Sequence, residues 1–213
     1  MTLTSLSNPL YETIPDQSVV KKVIPALKDR GIEAIIVDNA AQALEKIKEL
    51  IPANASVNTG SSVTLEQIGL VEYLKSGKHG WNNLKAGVVA EKDPEKQTKL
   101  RKEAILSDYF LGSVHAVTEN GQLLIASNTG SQLPSYAFAS QNVIWVVGTQ
   151  KIVPTLDDAF KRLKDYVVPL EDKHMLELYK MNTAIGKMLI FEREAQFNKR
   201  SLHIIFVNEK LGF

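Results

Sequence analysis

The chain has 213 residues, and its 25 lysine and arginine residues against 24 aspartate and glutamate residues give a formal net charge of +1. This balance lacks the basic excess that is typical of nucleic-acid-binding proteins, so we expect no nucleic acid among its partners. The absence of cysteine excludes disulfides, thiolate zinc sites, a cysteine nucleophile and iron–sulfur clusters held by cysteines of this chain.

Hydrophobic residues make up 44% of the chain and charged residues 23%, which is the composition of an ordinary globular protein. The first residues contain no basic segment followed by an apolar one, and the longest apolar runs, such as residues 143–147, are far too short to span a membrane. We therefore expect a cytoplasmic protein that does not insert into membranes. Residues 1–15 predict an irregular arm, and residues 16–213 a single domain.

Helical patterns and short apolar runs alternate along the chain. Helices are predicted over residues 17–30, 40–51, 65–75, 93–106, 156–163 and 171–181. Strands are predicted over residues 32–37, 55–58, 114–118, 122–127, 142–148, 187–191 and 202–208. Asn39 is expected to cap the second helix, and Asn120-Gly121 predicts a hairpin turn between two strands. The alternation predicts an α/β fold built around a mostly parallel sheet.

The first candidate site is the polar loop that follows the strand at residues 55–58. Gly60 permits close approach of the backbone to a ligand, and the hydroxyls of Ser61, Ser62 and Thr64 can donate to a phosphate or a carboxylate. Loops between a strand and a helix are where α/β sheets place ligand sites. The alternative is a helix cap, because Thr64 and Gln67 have the spacing of a capping box.

Three further loops also follow short apolar strands. Glu119 and Asn120 stand after one strand, where a carboxylate can act as nucleophile or general base, or can simply be solvated at the rim of the hairpin. Asn128, Thr129 and Gly130 follow the next strand, and Lys151, a candidate positive charge for an anion, follows the most apolar one. In a parallel sheet such loops converge at one edge.

The histidines have no metal-ligand spacing, so we expect no metal site.

Four segments together resemble the LUD-domain family of lactate-utilisation proteins. They are residues 58–69 (NTGSSVTLEQIG), 115–121 (HAVTENG), 146–154 (VVGTQKIVP) and 208–213 (NEKLGF). The resemblance implies a fold related to sugar-phosphate isomerases and CoA transferases, with a three-layer α/β/α arrangement around a mostly parallel central sheet. The segment from Gly60 to Thr64 is similar to the phosphate loop of ribose-5-phosphate isomerases.

The segment Thr118-Glu119-Asn120-Gly121 is similar to the Ser-Glu-Asn-Gly motif of CoA transferases, with threonine in place of the leading serine. This similarity implies that Glu119 is a catalytic nucleophile and that CoA or a phosphate compound is a ligand. Membership of the family would imply a role in oxidising lactate beside iron–sulfur partner subunits. Because this chain has no cysteine, it would be a non-redox subunit that binds substrate or bridges partners, or a stand-alone relative with another role.

The sequence thus supports three hypotheses. The first is a LUD-family protein that binds a small anionic metabolite, such as a hydroxy acid, at its strand-end loops. The second is a non-catalytic scaffold or accessory protein whose loops are structural. The third is a CoA- or sugar-phosphate-handling enzyme that uses Glu119. Whether the protein is an enzyme and whether it forms a homo-oligomer stay open.

Overall fold

The computed structural model describes residues 8–213; the first half of the predicted N-terminal arm, residues 1–7, lies outside the described residues. The helices, in chain order, are α1 Pro9–Glu12, α2 Gln17–Asp29, α3 Ala40–Leu50, α4 Val63–Gln67, α5 Leu70–Lys75, α6 Leu84–Ala90, α7 Pro94–Glu103, α8 Leu156–Arg162 and α9 Val168–Tyr179. The strands are β1 Glu33–Val37, β2 Ser56–Thr59, β3 Asn82–Asn83, β4 Tyr109–Gly112, β5 Ala116–Thr118, β6 Leu123–Ser127, β7 Asn142–Gly148, β8 Ile152–Val153, β9 Lys187–Phe191 and β10 Ser201–Val207.

The central sheet has six strands in the order β1-β10-β7-β4-β2-β3, and every pairing in it is parallel. β7 and β10 are interior strands of the sheet, and both are mostly apolar because both of their faces are covered; Asn142, Ser201 and His203 are the polar exceptions. Trp145 and Phe206 face one side of the sheet, and Val146 and Ile205 face the other. The predicted α/β class with a mostly parallel sheet is therefore confirmed.

Helices cover both faces of this sheet. On one face α3, α4 and α5 pack through apolar residues that include Ile47, Leu65 and Leu70. On the other face lies α2, which contributes Val20, Val23 and Leu27. This arrangement agrees with the predicted three-layer α/β/α architecture.

A second sheet, which the sequence did not predict as a separate unit, shares that second face with α2. Its strand order is β8-β5-β6-β9; β5 and β6 are antiparallel, as the Asn120-Gly121 turn predicted, and β9 pairs antiparallel with β6. Leu123 and Ile125 of β6 face the central sheet. Leu124 of the same strand faces the opposite way, toward α8 and Tyr166. The strand alternates between two cores, which is why it has no polar face.

Two local predictions differ from the structure. The helix predicted over residues 65–75 is divided into α4 and α5, because Gly69 has φ +79°, in the left-handed region that ends a helix. α1 lies within the segment predicted as an irregular arm, where Asn8 caps it by accepting from the Leu10 amide; β3, β4, α6 and β8 were not predicted either. The cap predicted for α3 is confirmed, since the Asn39 side chain accepts a hydrogen bond from the Gln42 amide.

Across residues 8–213, no helix has the length and apolar character needed to cross a membrane.

Candidate functional site

A cavity of about 690 Å³ lies where the carboxyl ends of β2, β4 and β6 approach α9. Most of the loop residues singled out in the sequence line it: Gly60, Ser61, Ser62, Thr64, Asn128, Thr129 and Lys151. They come from three loops that are up to about ninety positions apart in the chain. Gly130 is in the same turn as Thr129, and its amide donates to Ser127 Oγ at 2.9 Å, but it does not line the cavity.

Lys151 lies at the buried end of the cavity and is only 3% exposed. Its ammonium Nζ donates to Thr64 Oγ1 at 3.1 Å, to Ser113 Oγ at 3.2 Å and to the carbonyl oxygen of Val114 at 3.2 Å. All three acceptors are neutral, and within residues 8–213 no carboxylate forms an ion pair with Lys151. Burial holds the pKa of Lys151 well below its usual value, and the positive charge of Arg162 lowers it further.

The hydroxyl-rich loop caps a helix, as one of the two interpretations of the sequence expected, and it also lines the cavity. Ser62 is the N-cap of α4 and accepts from the Leu65 amide, whereas Thr64 was the expected capping residue. Ser61 is exposed at the cavity wall. Lys85, which also lines the cavity, donates from Nζ to the carbonyl oxygen of Gly60 at 3.2 Å, and burial lowers its pKa. A second cation therefore lies next to this loop.

A side chain at Gly60 would require the end of the Gln132 side chain to move. A Cβ atom at this position would lie 2.6 Å from Gln132 Oε1, in the space between the loop and the segment after β6. The Gly60 amide also donates to the carbonyl oxygen of Leu111 at 3.1 Å, which extends the pairing of β2 with β4 by one residue. The loop is thus held against its neighbours by backbone contacts, so its hydroxyl groups have a defined position.

His115 also lines the cavity, and sequence reasoning missed it as a site residue. Its Nδ1 accepts a hydrogen bond from the Ala126 amide at 3.0 Å, so the proton of the neutral ring is on Nε2. Burial, together with the charges of Lys151 and Arg162, lowers the pKa of His115 to about 3. The ring is therefore neutral at ordinary pH and offers an N–H donor. No spacing motif could have indicated it, because its partners are remote in sequence.

Glu171 on α9 is a second cavity residue that the sequence did not reveal. Burial raises the pKa of its carboxyl group, an effect that nearby His174 partly opposes. A carboxyl with a raised pKa in a cavity is a candidate proton donor or acceptor. The residue sits in an ordinary helical pattern, so only the packing of α9 over the cavity distinguishes it from any surface glutamate.

The turn that carries Glu119 and Asn120 does not line the cavity. The Glu119 amide donates to the carbonyl oxygen of Val153, and the carbonyl oxygen of Asn120 accepts from Arg30 Nε at 2.6 Å. The physical reason is the antiparallel pairing of β5 with β6: the turn that joins them lies at the end of the hairpin opposite to Ser127 and Asn128. The expectation that all the strand-end loops converge therefore holds for three of them and not for this one, and the nucleophilic role of Glu119 stays a prediction.

Among residues 8–213, no group of three or more histidine, aspartate and glutamate side chains is arranged to hold a metal ion. The charged and histidine side chains of the cavity are instead distributed around its wall: Glu66, Lys85, Arg101, His115, Lys151, Glu171 and His174. The buried end of the cavity is lined by the amino group of Lys151, by the hydroxyl groups of Thr64 and Ser113 and by the neutral imidazole of His115. This donor set suits an anion.

The sequence model of the LUD domain matches residues 20–207. The chain is also similar to a solved structure, that of a DUF162 family protein from Deinococcus radiodurans, with 12% sequence identity and a TM-score of 0.55 over 92% of this chain and 100% of that one. At this identity the likeness concerns the fold. No curated protein matches the chain.

Proposed function

The chain belongs to the LUD-domain family, and from this premise we propose that it binds a small anionic metabolite, a carboxylate or a phosphate compound, in the cavity that Lys151 closes. The observation that carries the proposal is the buried amino group of Lys151 with three neutral oxygen partners. Gly60, Ser61, Ser62, Thr64, Asn128 and Thr129 supply the surrounding wall.

A buried ammonium without a counter-ion costs several kcal/mol relative to water, and neutral oxygens offset only part of that cost. The lowered pKa of Lys151 expresses this cost. An anion that enters the cavity brings the missing negative charge, so it favours the protonated form of Lys151, and the ammonium favours the anion in return.

Two hydroxyl groups beside Lys151 are available to the same ligand. Thr64 Oγ1 faces the carbonyl oxygen of Leu211 at 3.5 Å, and Ser113 Oγ faces the carbonyl oxygen of Val114 at 3.4 Å. Both distances are at the long limit for a hydroxyl hydrogen bond, so little is lost when these protons turn toward an anion. His115 Nε2–H adds a third neutral donor at the cavity wall.

We further propose that the physiological anion is lactate or a related small hydroxy acid, and that any redox centre belongs to an iron–sulfur partner subunit. Two facts support this: the family membership and the absence of cysteine in the chain. Affinity purification of the tagged protein from its own source, followed by assay for iron and acid-labile sulfide, tests the partner. Recovery of the chain without any such partner would count against this role.

The binding proposal is tested by thermal unfolding with lactate, pyruvate, inorganic phosphate, ribose 5-phosphate and CoA, each at millimolar concentration. A ligand present at about 100 times its Kd stabilises the folded state by about 2.7 kcal/mol, which raises Tm by several degrees. The Lys151→Met variant should lose the ligand-induced rise in Tm, and Lys78→Met, which alters an exposed lysine outside the cavity, should retain it.

The variants are compared by the ligand-induced rise in Tm and not by their absolute Tm, because removing a buried charge changes the stability of the folded protein by itself. If none of the anions raises Tm, or if Lys151→Met responds as the unaltered protein does, the proposal is wrong.

A further inference from the structure

The mouth of the cavity is apolar, in contrast to its buried end. Val89 of α6, Leu178 and Tyr179 of α9, and Met181 just beyond α9 line it, and they are 64%, 59%, 62% and 61% exposed. Large apolar side chains so exposed carry an unfavourable contact with water that a bound apolar group would remove. These four residues are called the apolar rim below.

The apolar lining continues from the rim into the interior. Met175 and Val168 of α9 are half-buried on the cavity wall, and Val167 and Leu163 are buried deeper along the same wall. Val114, whose carbonyl oxygen accepts from Lys151, ends this series. Apolar side chains therefore line the cavity from the rim to Lys151, with Glu171 and His174 of α9 interspersed among them.

The size of the cavity also exceeds what a three-carbon acid needs. The six non-hydrogen atoms of lactate occupy at most about 180 Å³, judged from about 30 Å³ per molecule of liquid water. The cavity measures about 690 Å³, which falls in the range that encloses ligands several times larger. A lactate molecule at Lys151 would leave the apolar part of the cavity filled by water.

We infer that the site takes an amphipathic anion: a carboxylate head at Lys151, such as that of a 2-hydroxy acid, with an unbranched aliphatic tail of several carbons along α9 toward the apolar rim. This inference rests on the proposed function, since it uses the same anion position, and it names the substrate class more narrowly. The flexible side chains of Met175 and Met181 suit a tail without fixed shape. The apolar rim borders a concave cavity with Lys151 at its buried end. This shape favours a small ligand over the flat surface of a protein partner.

The test is a homologous series of 2-hydroxy acids, from lactate through 2-hydroxybutyrate and 2-hydroxyhexanoate to 2-hydroxyoctanoate, titrated by calorimetry. Each methylene buried against the apolar lining should lower Kd about three- to fourfold. In the Leu178→Ser/Met181→Ser double variant this gain should shrink for the two longest acids, while the Kd of lactate stays within twofold. Phe197→Ser removes an apolar side chain that is 85% exposed but outside the cavity, and it should leave the whole series unchanged.

The outcomes separate this inference from the proposed function. Lactate binding that depends on Lys151, with no gain for longer acids, overturns the inference and leaves the proposed function intact. Failure of every acid in the series to bind overturns the inference, and failure of the wider set of anions as well removes the proposed function. Should the double variant alter self-association in sedimentation experiments without altering the series, the rim is an interface between copies of the chain and the inference is wrong.

Discussion

Lowering the pH should destabilise the folded protein through His115, which lines the cavity. The ring is buried, its Nδ1 accepts from the Ala126 amide, and its pKa in the folded protein is about 3. In the unfolded chain the pKa returns to about 6.5. Below pH 6.5 the unfolded state therefore takes up a proton that the folded state does not, so the free energy of unfolding falls as the pH falls.

The size of this effect follows from the difference between the two pKa values. The stability associated with neutral His115 is complete above about pH 7.5 and declines by about 1.4 kcal/mol per pH unit below 6.5. Between pH 7.5 and pH 4.5 the loss from this one group amounts to about 2.5 kcal/mol. The decline ends only near the folded pKa of about 3.

The measurement is urea unfolding at several pH values from 7.5 to 4.5, for the unaltered protein and for His115→Asn. Asparagine can present its side-chain oxygen to the Ala126 amide in place of Nδ1, but it does not titrate. The difference in free energy of unfolding between the two proteins removes the contributions of other groups, and it should change by about 2.5 kcal/mol over this range. A difference that is independent of pH would refute the assignment of a buried neutral histidine.

Two other changes test parts of the structure outside the buried end of the cavity. Arg200 and Glu194 form a 2.8 Å ion pair with side chains only 3% and 7% exposed, so Arg200→Met should lower the free energy of unfolding, measured in urea, by about 3–5 kcal/mol. The same change at exposed Arg193 should lower it little. A loss below about 1 kcal/mol at Arg200 would contradict the buried ion pair. Glu119→Gln should leave the ligand-induced rise in Tm unchanged because its turn lies outside the cavity, and loss of that rise would instead support a role for Glu119 in the site.

Much of the fold follows from local patterns in the sequence. The apolar runs of β7 and β10, the cap at Asn39 and the Asn120-Gly121 turn each depend on neighbouring residues alone. Such local signals suffice to predict an α/β protein with a parallel sheet, and the hydroxyl-rich loop after β2 is recognisable in the same way. The absence of cysteine is read directly from the sequence and does not depend on the tertiary structure.

The composition of the site depends on packing between distant segments. Lys151 becomes a buried cation only because Thr64 and Ser113, from separate loops, close around its Nζ. His115 and Glu171 acquire their shifted pKa values from burial that no spacing motif encodes. Glu119 lies outside the cavity because the antiparallel hairpin of β5 and β6 places its turn at the end opposite to the cavity. The sequence motif around Glu119 does not indicate at which end of the hairpin the cavity lies. Local patterns therefore suffice for the fold class and for the donor-rich loops. Which of these loops meet depends on how β5 and β6 pair and on where α9 packs, and these are long-range contacts that no local pattern encodes.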